Sequence, residues 1–149
     1  MPVRLYFDAC CLNRLTDDQS QMRIRDEAAA VEGILRLVRD GEVIWVGSLT
    51  LGAEINRNPD AERRRDAAAL LEFANEIVAP GPETVRRSTY FETLGFSPFD
   101  ALHLASAEQG GAEVFLTTDD ALLRRAGRHR NQLRVTVDNP VFWYRKRNS

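Results

Sequence analysis

Lysine is almost missing from this chain. Of its 20 basic residues Lys146 alone is a lysine, and the rest are arginine. That scarcity removes the phosphate-binding loop, which places a lysine behind a glycine-rich turn. It also disfavours a receiver-type phosphorylation domain, which wants a lysine in its core. Cysteine is scarce too: Cys10 and Cys11 are the two in the chain, and adjacent residues make a strained disulfide. A stapled secreted scaffold is thereby excluded, and reduced thiols in a cytosolic protein fit better. No apolar run approaches the roughly 20 residues of a membrane-crossing helix. The opening Met1-Pro2-Val3-Arg4-Leu5-Tyr6-Phe7-Asp8 reads as a strand and not a signal peptide, since an aspartate interrupts it at once. With no lipidation motif either, the expected location is the cytosol. An excess of positive charge is also lacking: the net charge is −2, so there is no global basic footprint for nucleic acid. The arginine bias suits bidentate phosphate contact. A GC-rich genome would produce the same bias.

What is present is enough for a real core: 44% of the residues are hydrophobic, and 149 residues fit one domain, 1–149. Val3 to Phe7 reads as a buried strand, followed by a short helix or loop from about Ala9 to Leu15. Apolar positions from Ser20 to Arg39 recur at helical spacing and stop at Asp40-Gly41. A second strand, Glu42 to Val46, leads into a helix capped by Ser48 or Thr50 and carrying Leu51, Glu54 and Ile55. Asn58-Pro59-Asp60 starts another helix, expected to run to about Glu76. A weak strand at Ile77-Val78-Ala79, a helix from Glu83 to Leu94 and a helix opened by Ser97-Pro98 follow. Val114 to Leu116 is the next strand, with a short helix after it, and Leu133 to Val137 the last. Strands alternating with helices imply crossover connections: a three-layer α/β/α architecture with a mainly parallel central sheet flanked by helices. In such sheets the functional crevice lies beyond the carboxyl ends of the strands.

Four acids are expected to come to that end. Asp8 and Asp119 directly follow strands, Glu54 lies in the helix after the second strand, and Asp100 lies in the first turn of its helix. Each has an ordinary structural reading as a helix cap, a first-turn residue or a solvated side chain. Their combination changes that, because clustered carboxylates raise one another's pKa unless a cation compensates them. Magnesium and manganese suit an oxygen-rich site.

The strand Leu5-Tyr6-Phe7-Asp8 resembles the first motif of the PIN-domain family, and Leu51-Gly52-Ala53-Glu54-Ile55 is similar to the second. Asp100-Ala101-Leu102-His103-Leu104-Ala105-Ser106-Ala107 closely resembles the third, and Leu116-Thr117-Thr118-Asp119 the fourth. The resemblance implies a Mg2+- or Mn2+-dependent phosphodiesterase, usually a ribonuclease. Asp8, Glu54, Asp100 and Asp119 would be its catalytic and metal-holding residues. It also implies an RNA substrate, a homodimer and, for VapC-type members, an antitoxin partner. Asn13, Arg14, Arg57 and Thr117 are the expected substrate contacts. For Asn13 and Arg14 a second reading stays open, hydrogen bonding to the acidic cluster.

His103 lies one turn after Asp100, where it is either a proton-transfer group or, more commonly, a structural histidine. Cys10 and Cys11 read as packing residues. The segment Phe142-Trp143-Tyr144-Arg145-Lys146-Arg147 has two readings, a stacking surface for single-stranded bases or a docked or frayed tail. Two rivals stand beside the nuclease. A haloacid-dehalogenase-like phosphatase needs a second aspartate two residues after its first, where Cys10 stands here. A non-catalytic interaction module on the same fold need not respond to metal.

Overall fold

The computed structural model describes residues 1–148. Its elements are β1 (Val3–Phe7), α1 (Ala9–Asn13), α2 (Met22–Arg39), β2 (Val43–Ser48), α3 (Leu49–Asn56), α4 (Ala61–Leu71) and β3 (Glu76–Val78). They continue with α5 (Pro82–Thr93), α6 (Pro98–Gln109), β4 (Val114–Leu116), α7 (Asp120–Arg128), a 3-10 turn (Arg130–Gln132), β5 (Thr136–Asp138) and α8 (Pro140–Asn148).

The five strands form one parallel sheet in the order β3-β2-β1-β4-β5, within the three-layer α/β/α arrangement expected. The first strand of the chain is thus the middle of the sheet. That explains its composition, because a central parallel strand is covered on both faces and reads as a continuous apolar run. Leu5, Tyr6 and Phe7 are fully buried, and with Trp45, Val46, Phe115 and Leu116 they form the centre of the core. Tyr6 stacks on Phe115, and Phe7 meets Trp45 edge-on. Among the described residues no helix is long and apolar enough to cross a membrane.

Helix boundaries follow local chemistry. The side chain of Ser48 caps α3 by accepting from Leu51 N–H (2.9 Å), and Asp60 caps α4 through Glu62 and Arg63 N–H. Gly41, at φ +77°, sits just beyond the last turn of α2, a backbone setting that favours glycine.

Two segments depart from the sequence expectation. The helix opened by Asp60 stops at Leu71, five residues before Glu76. There Asn75 grips Trp45, accepting its N–H on Oδ1 (2.8 Å) and donating its own N–H to the Trp45 carbonyl (2.9 Å). Those bonds commit the chain to the sheet edge, where Glu76 pairs with Val46. The last strand begins at Thr136 and not Leu133: Arg134 N–H goes to the Glu108 side chain (2.9 Å), and Thr136 N–H reaches the Glu113 carbonyl (2.9 Å). The aromatic-basic tail takes the docked one of its readings: it is a helix, α8, seated on α2. Asn139 starts it by accepting Val141 N–H on its side chain (2.8 Å) and Trp143 N–H on its carbonyl (3.1 Å). Room for the docked helix comes from Gly33 on α2, where a Cβ would stand 2.4 Å from the Tyr144 ring.

Candidate active site

The site begins with a register. Phe7 pairs with Leu116, so the residues that follow, Asp8 and Thr117, leave the sheet side by side at its carboxyl edge. Asp8 N–H donates to the Leu116 carbonyl (3.3 Å), which ties the two strand ends together. The Asp8 side chain turns inward and is 5% exposed. Its carboxylate accepts the Thr117 hydroxyl (2.6 Å) and the Cys10 thiol (2.7 Å). Burial pushes this carboxyl well above the ordinary range, and the neighbouring Cys10 adds to the shift.

Glu54 reaches the same edge from the second turn of α3. One oxygen accepts Ala9 N–H (3.0 Å), so it is tied to the residue after Asp8. The same oxygen lies 3.1 Å from His103 Nε2, close enough for an ion pair but too poorly aligned for a hydrogen bond. Burial alone would raise the Glu54 carboxyl. The His103 ring, the Ala9 N–H and the charge of Arg57 outweigh it and leave the group below its usual value.

Behind Glu54 runs a buried polar line that the sequence did not announce. The Tyr6 hydroxyl lies 2.6 Å from His103 Nδ1 and 2.6 Å from Ser48 Oγ, and His103 is fully buried. Glu54 beside Nε2 favours a proton on that nitrogen, which makes Nδ1 the acceptor for the Tyr6 hydroxyl. His103 is thus held between Tyr6 and Glu54 and screened from solvent. The hint in the sequence was a tyrosine on a central strand, whose hydroxyl needs a partner when buried.

Asp100, half-buried, is the third residue of α6. Its N–H is capped by Ser97 Oγ (3.2 Å), at the capping-box spacing. Burial raises its carboxyl, Ser97 works against this, and the charges of Asp119 and Glu54 push it up further. Asp119 is exposed and caps α7, its Oδ1 accepting Ala121 N–H (2.9 Å) and Leu122 N–H (3.2 Å). Asp120, next to it, is held away by a two-toothed pair with Arg23 (2.8 Å for each contact).

The expected substrate contacts separate. Thr117 is fully buried, and its hydroxyl serves Asp8 while accepting Asp119 N–H (3.1 Å), so it orients carboxylates and does not face a substrate. Arg14 is engaged with Glu27 and Asp17 (2.7 Å each), acids outside the expected four. Asn13, half-buried, ends α1, and its carbonyl accepts Arg63. Arg57 is exposed at the end of α3, its guanidinium 4.8 Å from the centre of the Phe99 ring. Glu27 is a buried acid missed in the sequence, where it reads as one more helix glutamate. It also accepts Asn139 Nδ2 (2.7 Å) and so joins α1, α2 and the start of α8.

Among the described residues no arginine pairs with Asp8, Asp100 or Asp119, although arginines pair with acids elsewhere. Glu54 has His103 and the charge of Arg57 near it, but the carboxylates of Asp8, Asp100 and Asp119 have no arginine partner, and oxygen donors of that kind fit a hard divalent ion. Among the described residues the one trio of such ligand atoms within 4.8 Å of one another is Asp8, Cys10 and Cys11; no three of the four carboxylates are drawn that close.

The profile of the PIN domain matches residues 5–128, and the chain belongs to that family. The fold is similar to that of FitAcB from Neisseria gonorrhoeae (14% identity, TM-score 0.61, 91% of this chain and 97% of that one). It is also similar to VapC20 from Mycobacterium tuberculosis, a toxin that cleaves the sarcin-ricin loop (14% identity, TM-score 0.56, 79% and 92%). A third likeness is to VapBC2 from Rickettsia felis, solved bound to a DNA fragment from their promoter (10% identity, TM-score 0.58, 92% and 98%). A search of curated proteins finds no match.

Proposed function

We propose that this chain is a metal-dependent ribonuclease in which Asp8, Glu54, Asp100 and Asp119 hold a magnesium or manganese ion and direct hydrolysis of RNA phosphodiester bonds. The observation that supports this most is electrostatic. Carboxylates from four separate elements act on one another's charge: Asp100 feels Asp119 and Glu54, and Asp8 feels Glu54. An ion bound there would neutralise phosphodiester charge and make a water more acidic.

The protein's own groups set the geometry. Thr117 fixes one Asp8 oxygen, and Ala9 N–H fixes one Glu54 oxygen. Asp119 spends Oδ1 on its helix cap, so Oδ2 is its oxygen for the ion. Asp100 sits where the positive end of the α6 dipole favours a carboxylate. Arg57, exposed beside Glu54 and braced on Phe99, would be the cation that meets a substrate phosphate, and Asn13 would be a second contact.

The wider role follows from the family. Membership in the PIN domain, with the likeness to VapC20 and VapBC2, supports a toxin of a toxin–antitoxin pair, acting in the cytosol as a homodimer and restrained by an antitoxin protein. The test is cleavage of RNA by purified protein with manganese or magnesium against a chelator. Cleavage is expected with metal only, and Asp8→Asn and Asp100→Asn, each shown to be folded, are expected to abolish it. Full activity in either variant would sink the mechanism. Sedimentation at high micromolar concentration checks the dimer.

A further inference from the structure

The first turn of α1 brings two soft ligands to the most buried acid of the site. Neighbouring helix residues normally project about 100° apart. Here the extended backbone of Asp8 (φ −84°, ψ 173°) folds its carboxylate back over the turn, and the ligand atoms of Asp8, Cys10 and Cys11 lie within 4.8 Å of one another. The Cys10 thiol, half-buried, donates to Asp8 Oδ1 at 2.7 Å and accepts Thr118 N–H at 3.3 Å. The Cys11 thiol is fully buried and donates to the Leu116 carbonyl at 3.3 Å. The Cys10 sulfur also lies 3.4 Å from the Thr117 hydroxyl. Thiol hydrogen bonds are weak, so these contacts can give way to a metal. A tetrahedral zinc takes sulfur at about 2.3 Å and oxygen at about 2.1 Å, setting ligand spacings of about 3.5–3.8 Å. The three ligand atoms, within 4.8 Å of one another, would close by about 1 Å to reach that arrangement.

We infer that Asp8, Cys10 and Cys11 form a thiophilic metal site, for zinc or cadmium, that shares Asp8 with the hard-ion site and so switches the nuclease off. Thiolates select soft metals, whereas magnesium and manganese prefer oxygen. The two ions therefore sort themselves by ligand and compete for one carboxylate. On binding, each thiol loses its proton to solvent and the sulfur takes the metal. The inhibitory half of the inference rests on the reading of Asp8 as a ligand of the hard ion; the thiolate site does not.

Cadmium is the probe, because cadmium–thiolate bonds give an ultraviolet charge-transfer band that needs no enzyme activity to read. Titration of the folded wild-type protein should give this band at one cadmium per chain. Cys10→Ser should halve it, as should Cys11→Ser. Asp8→Asn, which keeps both thiols, should weaken cadmium by about tenfold or more, the scale on which even outer-sphere changes alter metal affinity. Position 10, half-exposed, keeps the test readable should the buried Cys11→Ser variant not fold. No band in the wild type, or a band unchanged by Cys10→Ser, would overturn the site. Excess manganese should raise the apparent cadmium dissociation constant, and cadmium should stop manganese-dependent cleavage in the wild type; a constant indifferent to manganese, with the band intact and manganese-dependent cleavage present, would overturn the shared ligand and leave the nuclease reading standing, whereas absence of that cleavage would count against the nuclease reading itself.

Discussion

At the scale of single residues, Asp119 and Asp120 show how neighbours with one chemistry are put to different uses. Asp119 caps α7 with one oxygen and keeps the other at the acidic edge, while Asp120 is exposed and paired with Arg23. Asparagine caps a helix as well as aspartate does, so Asp119→Asn removes charge and keeps structure. We expect Asp119→Asn to lose metal-dependent cleavage and Asp120→Asn to retain it, compared at equal folded fraction; the reverse pattern would place the register one residue off. Arg23 holds the Asp120 carboxyl below its ordinary value. A depressed carboxyl contributes stability above its unfolded pKa and loses it as pH falls through the folded value. The stability gap between wild type and Asp120→Asn, followed by chemical denaturation, should therefore close in acid. Tyr6 makes a sharper case. Its hydroxyl bridges Ser48 and His103 in a fully buried place, and Tyr6→Phe leaves both partners short of a bond. An orphaned buried polar group costs about 1–3 kcal/mol, so a loss of that order is expected in denaturant unfolding. A neutral result would mean that the Ser48–Tyr6–His103 line does not exist in solution.

At the scale of elements, the docking of α8 on α2 hangs on a glycine. Tyr144 fills the space a Cβ at Gly33 would take. Overpacking of this kind costs about 1–3 kcal/mol, so Gly33→Ala should destabilise the protein by that amount. The same change made on a Tyr144→Ala background should cost much less, and a double-mutant cycle measures the difference. Additive losses would show that Tyr144 is not what fills the space. This helix also marks where reading from sequence gave out. Phe142 to Arg147 has no clean amphipathic period, since what binds it is a gap on another helix and an Asn139 start with Glu27 behind it. The overrun of α4 has a similar origin: Leu70, Leu71 and Ala74 carry helical spacing, but the Asn75–Trp45 bonds belong to a strand far away in sequence. Elements whose signal is local were legible, as with β1, the stop of α2 at Gly41, the Ser48 and Ser97 caps, and the places of Asp8 after β1 and Asp100 in the first turn of α6. Long-range partners were not. Glu27, Tyr6 and the turning of Thr117 inward toward Asp8 are invisible until the strands are laid side by side.

At the scale of the whole molecule, the acidic edge works against the fold until something positive fills it. Burial and the charges of Asp119 and Glu54 raise the folded pKa of Asp100. A carboxyl raised on folding contributes stability below its unfolded pKa and loses it as pH rises through the folded value. At neutral pH its charged form is thus the unfavourable one. Asp100→Asn should then be at least as stable as the wild type in metal-free buffer, a trade of stability for function. Metal should reverse the order. An ion that binds the folded chain alone stabilises it by about 2.7 kcal/mol at a hundredfold excess over its dissociation constant. For a chain of this size that is a rise in Tm of about 5–10 °C. The wild type should therefore climb with manganese while Asp100→Asn stays nearly flat, and the two melting curves should cross as the ion is added. Thermal melts of both proteins across a manganese series decide it. A wild-type Tm indifferent to millimolar manganese, or an equal climb in the variant, would mean that the four carboxylates do not hold the ion together.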